Sequence, residues 1–351
     1  MKKFVSLFVF AAVLLAFFAC ASIDRTGSAR AGRAARGESY ERVVIYTSIY
    51  QNVIGALDWA LQRQFPNVRV DFVYGGTGQI QSRVTSEIEA GRLGADILMV
   101  AEPSYSLELK ERGVLHSFRS SAAAALAFEY DEQGYWYPVR ISNMVLAFNP
   151  ARDNRDNLPN SFYHFANDPS LMGVISMSNP ITSGTTMAAI TALRDRYGYG
   201  FFEALGRQNV AIESSAVALR RLEAGEHRMI MVLEEAVLQK RQEQGSNLEI
   251  IYPVDGTIII PSTIMIVADR WSANNNTGTA EMIADWFLSP DGQIAIVEGW
   301  MHSVRKDFHQ NPFGSVDIGY IQASGMPFSW ENSFRQREEI LSRFEEYVMN
   351  R

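Results

Sequence analysis

Apolar and polar positions along the chain follow two alternating periods. Val43–Tyr46 is a continuous apolar run that Thr47-Ser48 closes. Over residues 50–65 the apolar positions Val53, Ile54, Leu57, Ala60, Leu61 and Phe65 recur every three or four residues, so they share one helical face. Pro66-Asn67 stops that helix. Val68, Val70, Phe72 and Tyr74 then recur every second residue, the period of a strand. Gly75-Gly76-Thr77-Gly78 predicts a tight turn, followed by a helix to about Ala90. Ala95–Val100 reads as a third strand, Pro103–Arg112 as a helix and Gly113 as its stop. This β-α-β-α-β-α order with short loops predicts a parallel sheet with helices on both faces.

Tyr135–Phe148 breaks the pattern. Pro138-Val139-Arg140 leads into a long strand run, Ser142–Phe148, which ends at Asn149-Pro150. Residues 151–170 are rich in Asn, Asp and Pro and predict a loop with a short helix. Strands at Val174–Met177, Val210–Ile212, Met229–Leu233 and Leu248–Tyr252 interleave with helices at Thr182–Tyr197, Ser215–Ala224 and Glu234–Gln244. A second α/β unit therefore fills about 142–265. Ile258–Val267 is strand-like, Ala280–Leu288 and Gly292–Glu298 are helical, and an amphipathic helix spans about 336–349. No internal repeat at a fixed period is visible.

The first twenty residues follow neither period. Lys2 and Lys3 precede Phe4–Ala19, which is apolar apart from Ser6. That run is short for a membrane span and has the shape of a secretory signal. It ends Phe17-Phe18-Ala19-Cys20, and Cys20 is the only cysteine. A small residue before that Cys resembles a relaxed bacterial lipobox, which implies cleavage before Cys20 and lipid attached to it. A plain signal peptide with an incidental Cys is the alternative. Residues 21–40 are small and polar and read as a flexible tether.

Composition narrows the function. The 351 residues are 47% apolar and 20% charged, a globular balance that suggests two domains. The formal charge is −7, and loss of residues 1–20 with their two lysines would make it −9. An acidic chain without a basic footprint excludes a dedicated nucleic-acid binder. One Cys excludes a disulfide framework and a Cys-based zinc site. His116, His164, His227, His302 and His309 show no HxxxH or HxH spacing, so no metal and no cofactor is expected from local motifs. G-x-S-x-G is absent and no His sits in a triad context, which argues against an enzyme.

Several segments together resemble the periplasmic substrate-binding proteins of ABC importers, in the branch that takes ferric iron, phosphonates and hexose phosphates. They are VVIYTSIYQNVIGAL (43–57), VRVDFVYGGTGQIQSRV (68–84), GADILMVAEPSYSLELKERGVL (94–115), MVLAFNP (144–150), SNPITSGTTMAAITAL (178–193) and MIADWFLSPDGQ (282–293). The resemblance covers the chain from 42 to about 308. It implies an α/β, two-lobed type II fold with crossover strands near 141–147 and 261–267. Lobe one would be 41–141 plus 266–351, and lobe two 142–265. A small solute would sit in the interlobe cleft, and closure would present it to a permease and its ATPase. The protein is then expected to be a monomer outside the cytoplasmic membrane, held to it only by the lipid on Cys20.

The candidate ligand residues lie where helices begin after strands, because helix N-termini offer free N–H groups and positive partial charge. Ser183, Gly184 and Thr185, with Thr186, open a helix after Asn179-Pro180; this resembles the branch's phosphate or phosphonate cradle, although an ordinary N-cap reads the same way. Thr47 and Ser48 match a ligand loop of many family members. Gly76 and Thr77 lie in the glycine turn, and Glu102 and Ser104 end the third strand. Arg140 at the first crossover could pair bidentately with a phosphate, or form an interlobe salt bridge. Glu213 and the Glu234-Glu235 pair suit sugar hydroxyls or an ammonium group, or are ordinary carboxylates at a helix start. Iron-binding members carry adjacent tyrosines where this chain reads IIIPSTIMIV (258–267). With no Tyr pair there and Tyr135 and Tyr137 in an expected loop, ferric iron is disfavoured, and it or another cation stands as the alternative ligand. Trp136 beside the hinge stays open as a cleft aromatic. A surface adhesin on the same fold is a further alternative.

Overall fold

The computed structural model describes residues 41–350. The signal segment 1–20, Cys20 and the tether 21–40 lie outside the described residues.

The first unit is β1 (Glu41–Thr47), α1 (Gln51–Gln64), β2 (Val68–Tyr74), α2 (Thr77–Glu89), β3 (Ile97–Ala101) and α3 (Ser104–Glu111). β1 runs parallel to both β2 and β3, with Val43 opposite Val70 and Ile45 opposite Ile97. Alternation along β1 covers both faces of this sheet. Val43 and Ile45 pack with Leu57 and Leu61 of α1, and Val44 and Tyr46 pack with Ile80 and Val84 of α2. A short β4 (Leu115–His116) follows, with Leu115 opposite Val267 and His116 opposite Ile266.

β5 (Tyr137–Phe148) is buried along its whole length and longer than the sequence pattern predicted. Pro138 is tolerated inside it because the register of its neighbour shifts between Ser262 and Thr263, relieving the missing N–H. Tyr137 therefore belongs to a strand and not to a loop. Trp136 is buried in the core behind β3, away from any cleft.

The second unit holds α4 (Phe162–Asn167), β6 (Ile175–Ser178), α5 (Gly184–Tyr197), α6 (Gly200–Arg207), β7 (Ala211–Glu213), α7 (Ser215–Ala224), β8 (Met229–Leu233), α8 (Glu234–Gln244) and β9 (Glu249–Ile251). α6 escaped the sequence pattern because it is only eight residues long and contains two glycines, yet Phe201, Phe202, Ala204 and Leu205 are buried on one face. β10 (Ile258–Val267), α9 (Thr277–Leu288), α10 (Pro290–Glu298), α11 (Ile318–Ala323) and α12 (Trp330–Phe344) complete the chain.

The strands run in the order β2-β1-β3-β10-β5-β8-β6-β7. β5 and β10 are antiparallel partners at the centre, with Ile258 opposite Met144. β10 pairs with β3, and the far half of β5 (Met144–Phe148) pairs with β8. Each of the two strands thus passes from one lobe to the other, as the expected crossovers require. The terminal helix touches both lobes. Arg337 reaches Glu102 at the end of β3 at 2.8 Å, while Phe344 packs edge-on against Phe202 of α6 with ring centres 5.3 Å apart.

Candidate ligand cleft

Parallel strands deliver their following loops to one edge of the sheet, where open α/β folds bind ligands. Here that edge lies between the lobes and encloses a cleft of about 510 Å³. From lobe one it takes Ser48 after β1, Tyr74 at the end of β2, Gly76 after it, and Ala101 at the end of β3. From lobe two it takes Ser178, Glu213 and Leu233 at the ends of β6, β7 and β8. Three helices begin at its wall. They are α2 at Thr77, α5 at Gly184 and α7 at Ser215. Their first-turn amides have no acceptor inside their own helix, so three positive partial charges converge on one space.

The hydroxyls around these helix starts are organised by local capping. The Ser183 Oγ accepts from the Thr186 amide at 3.2 Å and lies 3.0 Å from the Thr185 Oγ1. The Ser214 Oγ caps α7 through the Val217 amide. Ser178 and Ser215 share a hydrogen bond of 2.9 Å. The Ser48 Oγ accepts from the Ala101 amide at 3.1 Å, leaving its own proton to donate.

Arg140 is the cation of the cleft wall, and its side chain is 3% exposed. Its Nη1 faces the Ser142 Oγ at 3.1 Å, the Met301 sulfur at 3.0 Å and the Glu235 Oε1 at 3.4 Å. Its Nε has no partner among the described residues. Glu235 accepts from the Ser142 Oγ at 2.7 Å. Burial pulls the Arg140 pKa below its ordinary value, with the Glu235 charge opposing that shift. Burial likewise pushes the Glu235 carboxyl up, against the pull of Arg140. Desolvation therefore outweighs a pairing that is long for an ion pair. All of the Arg140 side-chain hydrogen bonds among the described residues run through Nη1, which leaves the Nε–Nη2 edge as the fork that takes two oxygens of an oxyanion.

Glu213 lines the cleft, but its carboxylate is already engaged by Arg221 and by the His227 Nε2. Of the residues predicted from sequence, Ser48, Gly76, Thr77, Arg140, Ser183, Gly184, Thr185 and Glu213 share this one cleft. Thr47 does not. It is fully buried, and its Oγ1 accepts the Ile49 amide at 3.1 Å inside the turn. Glu234 does not either. It points away from Arg140, is 1% exposed, and accepts from Tyr252, Ser315 and the His302 Nε2. Glu102 and Ser104 are buried against each other and against Arg337 instead of facing the cleft.

The sequence pattern missed Tyr50, Tyr74, Gln79, Ser178, Asn179 and Ser215, which also form the wall. Their common signal is position: each lies at a strand end, in the loop after it or in the first turn of a helix. Burial and the Glu235 charge push the Tyr50 phenol well above its ordinary range. Among the described residues, no three His, Cys, Asp or Glu side chains converge as a metal site. Also among the described residues, no helix is long and apolar enough to cross a membrane.

Comparison with known proteins follows the same line. A family model for bacterial extracellular solute-binding proteins matches residues 94–314. A search of curated protein sequences returns no match. Iron-bound HitA from Pseudomonas aeruginosa superposes with a TM-score of 0.76 at 21% identity, covering 87% of this chain and 99% of that one. AfuA from Actinobacillus pleuropneumoniae, with exogenous fructose-6-phosphate bound, gives 0.76 at 19% identity, covering 88% and 98%. A periplasmic thiamin binding protein gives 0.73 at 15% identity, covering 88% and 96%. At these identities the likeness shows the fold, a two-lobed α/β type II architecture.

Proposed function

The chain belongs to the family of bacterial extracellular solute-binding proteins, and from that premise we propose that it captures a small anionic solute, a phosphorylated sugar or a phosphonate, for an ABC importer. Binding proteins of this family deliver small molecules to a permease and its ATPase; they are not enzymes. The reading rests on one observation above all, the free Nε–Nη2 edge of Arg140 in a cleft where three helices begin. The cleft carboxylate Glu213 is already paired, so it offers little to an ammonium group. In this reading Ser183, Gly184 and Thr185 donate to the anionic group. Ser48, Gly76 and Thr77 close over it from lobe one, 41–141 with 266–351, and lobe two is 142–265. The protein acts as a monomer of the hexose-phosphate and phosphonate branch, outside the cytoplasmic membrane, anchored by lipid on Cys20. Replacing Cys20 by Ser should abolish incorporation of labelled fatty acid; continued labelling would reject the anchor.

A second reading has its own observation. Tyr50 and Tyr74 both line the cleft, and phenolates are hard ligands for ferric iron. Against it, burial and the Glu235 charge hold the Tyr50 phenol in its protonated form. A thermal-shift panel separates the two: inorganic phosphate, fructose 6-phosphate, aminoethylphosphonate, ferric citrate and thiamin. A ligand at a hundred times its Kd adds about 2.7 kcal/mol of apparent stability. A shift with the phosphate esters or phosphonate that disappears in S183A/T185A supports the anion reading. A shift with ferric citrate alone, lost in Y50F, would replace it.

A further inference from the structure

The two lobes meet directly along one side of the cleft, and they do so backbone to backbone. The Gly78 amide of lobe one donates to the Thr182 carbonyl of lobe two at 3.1 Å. A Cβ on Gly78 would fall onto the Ile181 carbonyl oxygen and 2.9 Å from the Thr182 Cα. A Cβ on Gly76 would lie 2.8 Å from the Thr182 oxygen. From the other lobe, a Cβ on Gly184 would lie 2.7 Å from the Thr77 Cγ2. Thr77 is 2% exposed beneath the seam, while Ile181 at its outer side is 39% exposed, so the seam is the rim of the cleft. Three glycines therefore occupy the seam, two from lobe one and one from lobe two, and no side chain could replace them without parting the lobes.

Local conformation does not demand glycine at position 78. Gly78 sits in the first turn of α2 without a left-handed φ, and alanine is the better helix former there. Its reason lies across the cleft. The seam also joins the starts of α2 and α5, two like partial charges that repel one another. An anion held beside them turns that repulsion into attraction for both lobes, so closing the seam and holding the solute reinforce each other.

We propose that Gly76, Gly78 and Gly184 form a sealing lip, and that the absence of side chains at these positions allows the lobes to close over a bound anion and hold it. The lip sets the size of the ligand, since a sealed edge admits a small solute and not a running polymer. It rests on the anionic reading for its trigger, but its geometry is independent of it.

The test uses the purified protein with Gly78→Ala, and with Gly55→Ala as the control. Gly55 lies in α1 with open space around its Cα, so alanine there meets nothing. Small-angle scattering is recorded for each protein alone and with inorganic phosphate, fructose 6-phosphate, aminoethylphosphonate and ferric citrate. Affinity is measured by calorimetry. Wild type and G55A should reach the same compact form, while G78A keeps a larger radius of gyration, melts no lower than wild type and loses about tenfold or more in affinity. Gly184→Ala, whose Cβ would meet the Thr77 Cγ2 and Cβ from the other lobe, should lose affinity as well. A G78A protein as compact as wild type, with the same affinity, would overturn the lip. A retained scattering difference with no response to any phosphate or phosphonate probe would support the lip and reject the anionic trigger.

Discussion

Replacing Arg140 by Met separates what this residue does for the fold from what it does for the ligand. The side chains of Arg140 and Glu235 are 3% and 2% exposed, so the change leaves a carboxylate in the interior with Ser142, among the described residues, as its hydrogen-bonding side chain. Stranding one partner of a buried pair costs about 3–5 kcal/mol. Here the cost depends on pH, with a definite sign. Burial raises the Glu235 pKa, and Arg140 is the largest of the influences that lower it, ahead of the Ser142 hydrogen bond. Without Arg140 the folded-state pKa climbs further above its unfolded value. Stability conferred by the protonated carboxyl is then complete below the unfolded pKa and is lost as pH rises through the folded one. R140M should therefore be destabilised by about 3 kcal/mol at pH 8 and by clearly less at pH 5. Adding Glu235→Gln removes the stranded charge, and R140M/E235Q should regain most of the stability at both pH values. It should not regain binding. Two charge-assisted hydrogen bonds at about 1.5 kcal/mol each, the low end of their range, amount to a loss of about a hundredfold in affinity. Urea unfolding at the two pH values and calorimetry with the phosphate-bearing probe that shifts wild type supply both readouts. A double variant that binds as tightly as wild type would refute the role given to the Nε–Nη2 edge. An R140M protein as stable as wild type at pH 8 would refute the account of the pair.

Two further outcomes follow from buried carboxylates elsewhere. Burial pushes Glu102 from 4.5 to about 7 even though Arg337 opposes the shift. Its folded pKa lies above the unfolded one, so stability present below pH 4.5 declines as pH rises through 7, by about 3 kcal/mol. The difference in unfolding free energy between wild type and Glu102→Gln should change by that amount across pH 4.5–7.5, and a flat difference would show that the carboxyl is not desolvated. Glu234→Ala removes the acceptor shared by Tyr252, His302 and Ser315, and should cost about 2–4 kcal/mol in urea unfolding. Affinity for the responding probe should stay within about twofold, since the carboxylate lies outside the cleft; a larger loss would show that it reaches the ligand.

Legibility from sequence divides along the range of the forces involved. The strand–helix alternation of both units, the strand runs of β5 and β10 and the capping Ser183 are written in residues close together in the chain. Period-two and period-3.6 burial and capping are short-range effects, so they leave a pattern that can be read. One element hid, and another was read too short, because their local signals compete. α6 carries two glycines within eight residues, and β5 contains Pro138, which only the register shift at Ser262/Thr263 accommodates.

The site shows the boundary more sharply. Sequence placed Thr47 and Ser48 together at a strand end, but adjacent residues on a strand face opposite ways. Ser48 opens to the cleft and Thr47 closes the turn beneath it. Glu234 and Glu235 are likewise neighbours at one helix start. The register that sets Met144 opposite Leu233 continues so that Glu235 meets Ser142, which leaves Glu234 to His302 on the other side. Tyr50 and Tyr74, 24 positions apart, become cleft walls only because β1 and β2 are parallel neighbours. The glycines of the lip carry no mark in the sequence beyond a turn and a helix start. Their necessity appears only when residues about a hundred positions apart are brought within contact. Local propensity thus determined which elements form and where their polar ends lie. Sheet register and lobe closure decided which of those ends share a space, because burial and hydrogen-bond pairing between distant segments are properties of the assembled fold.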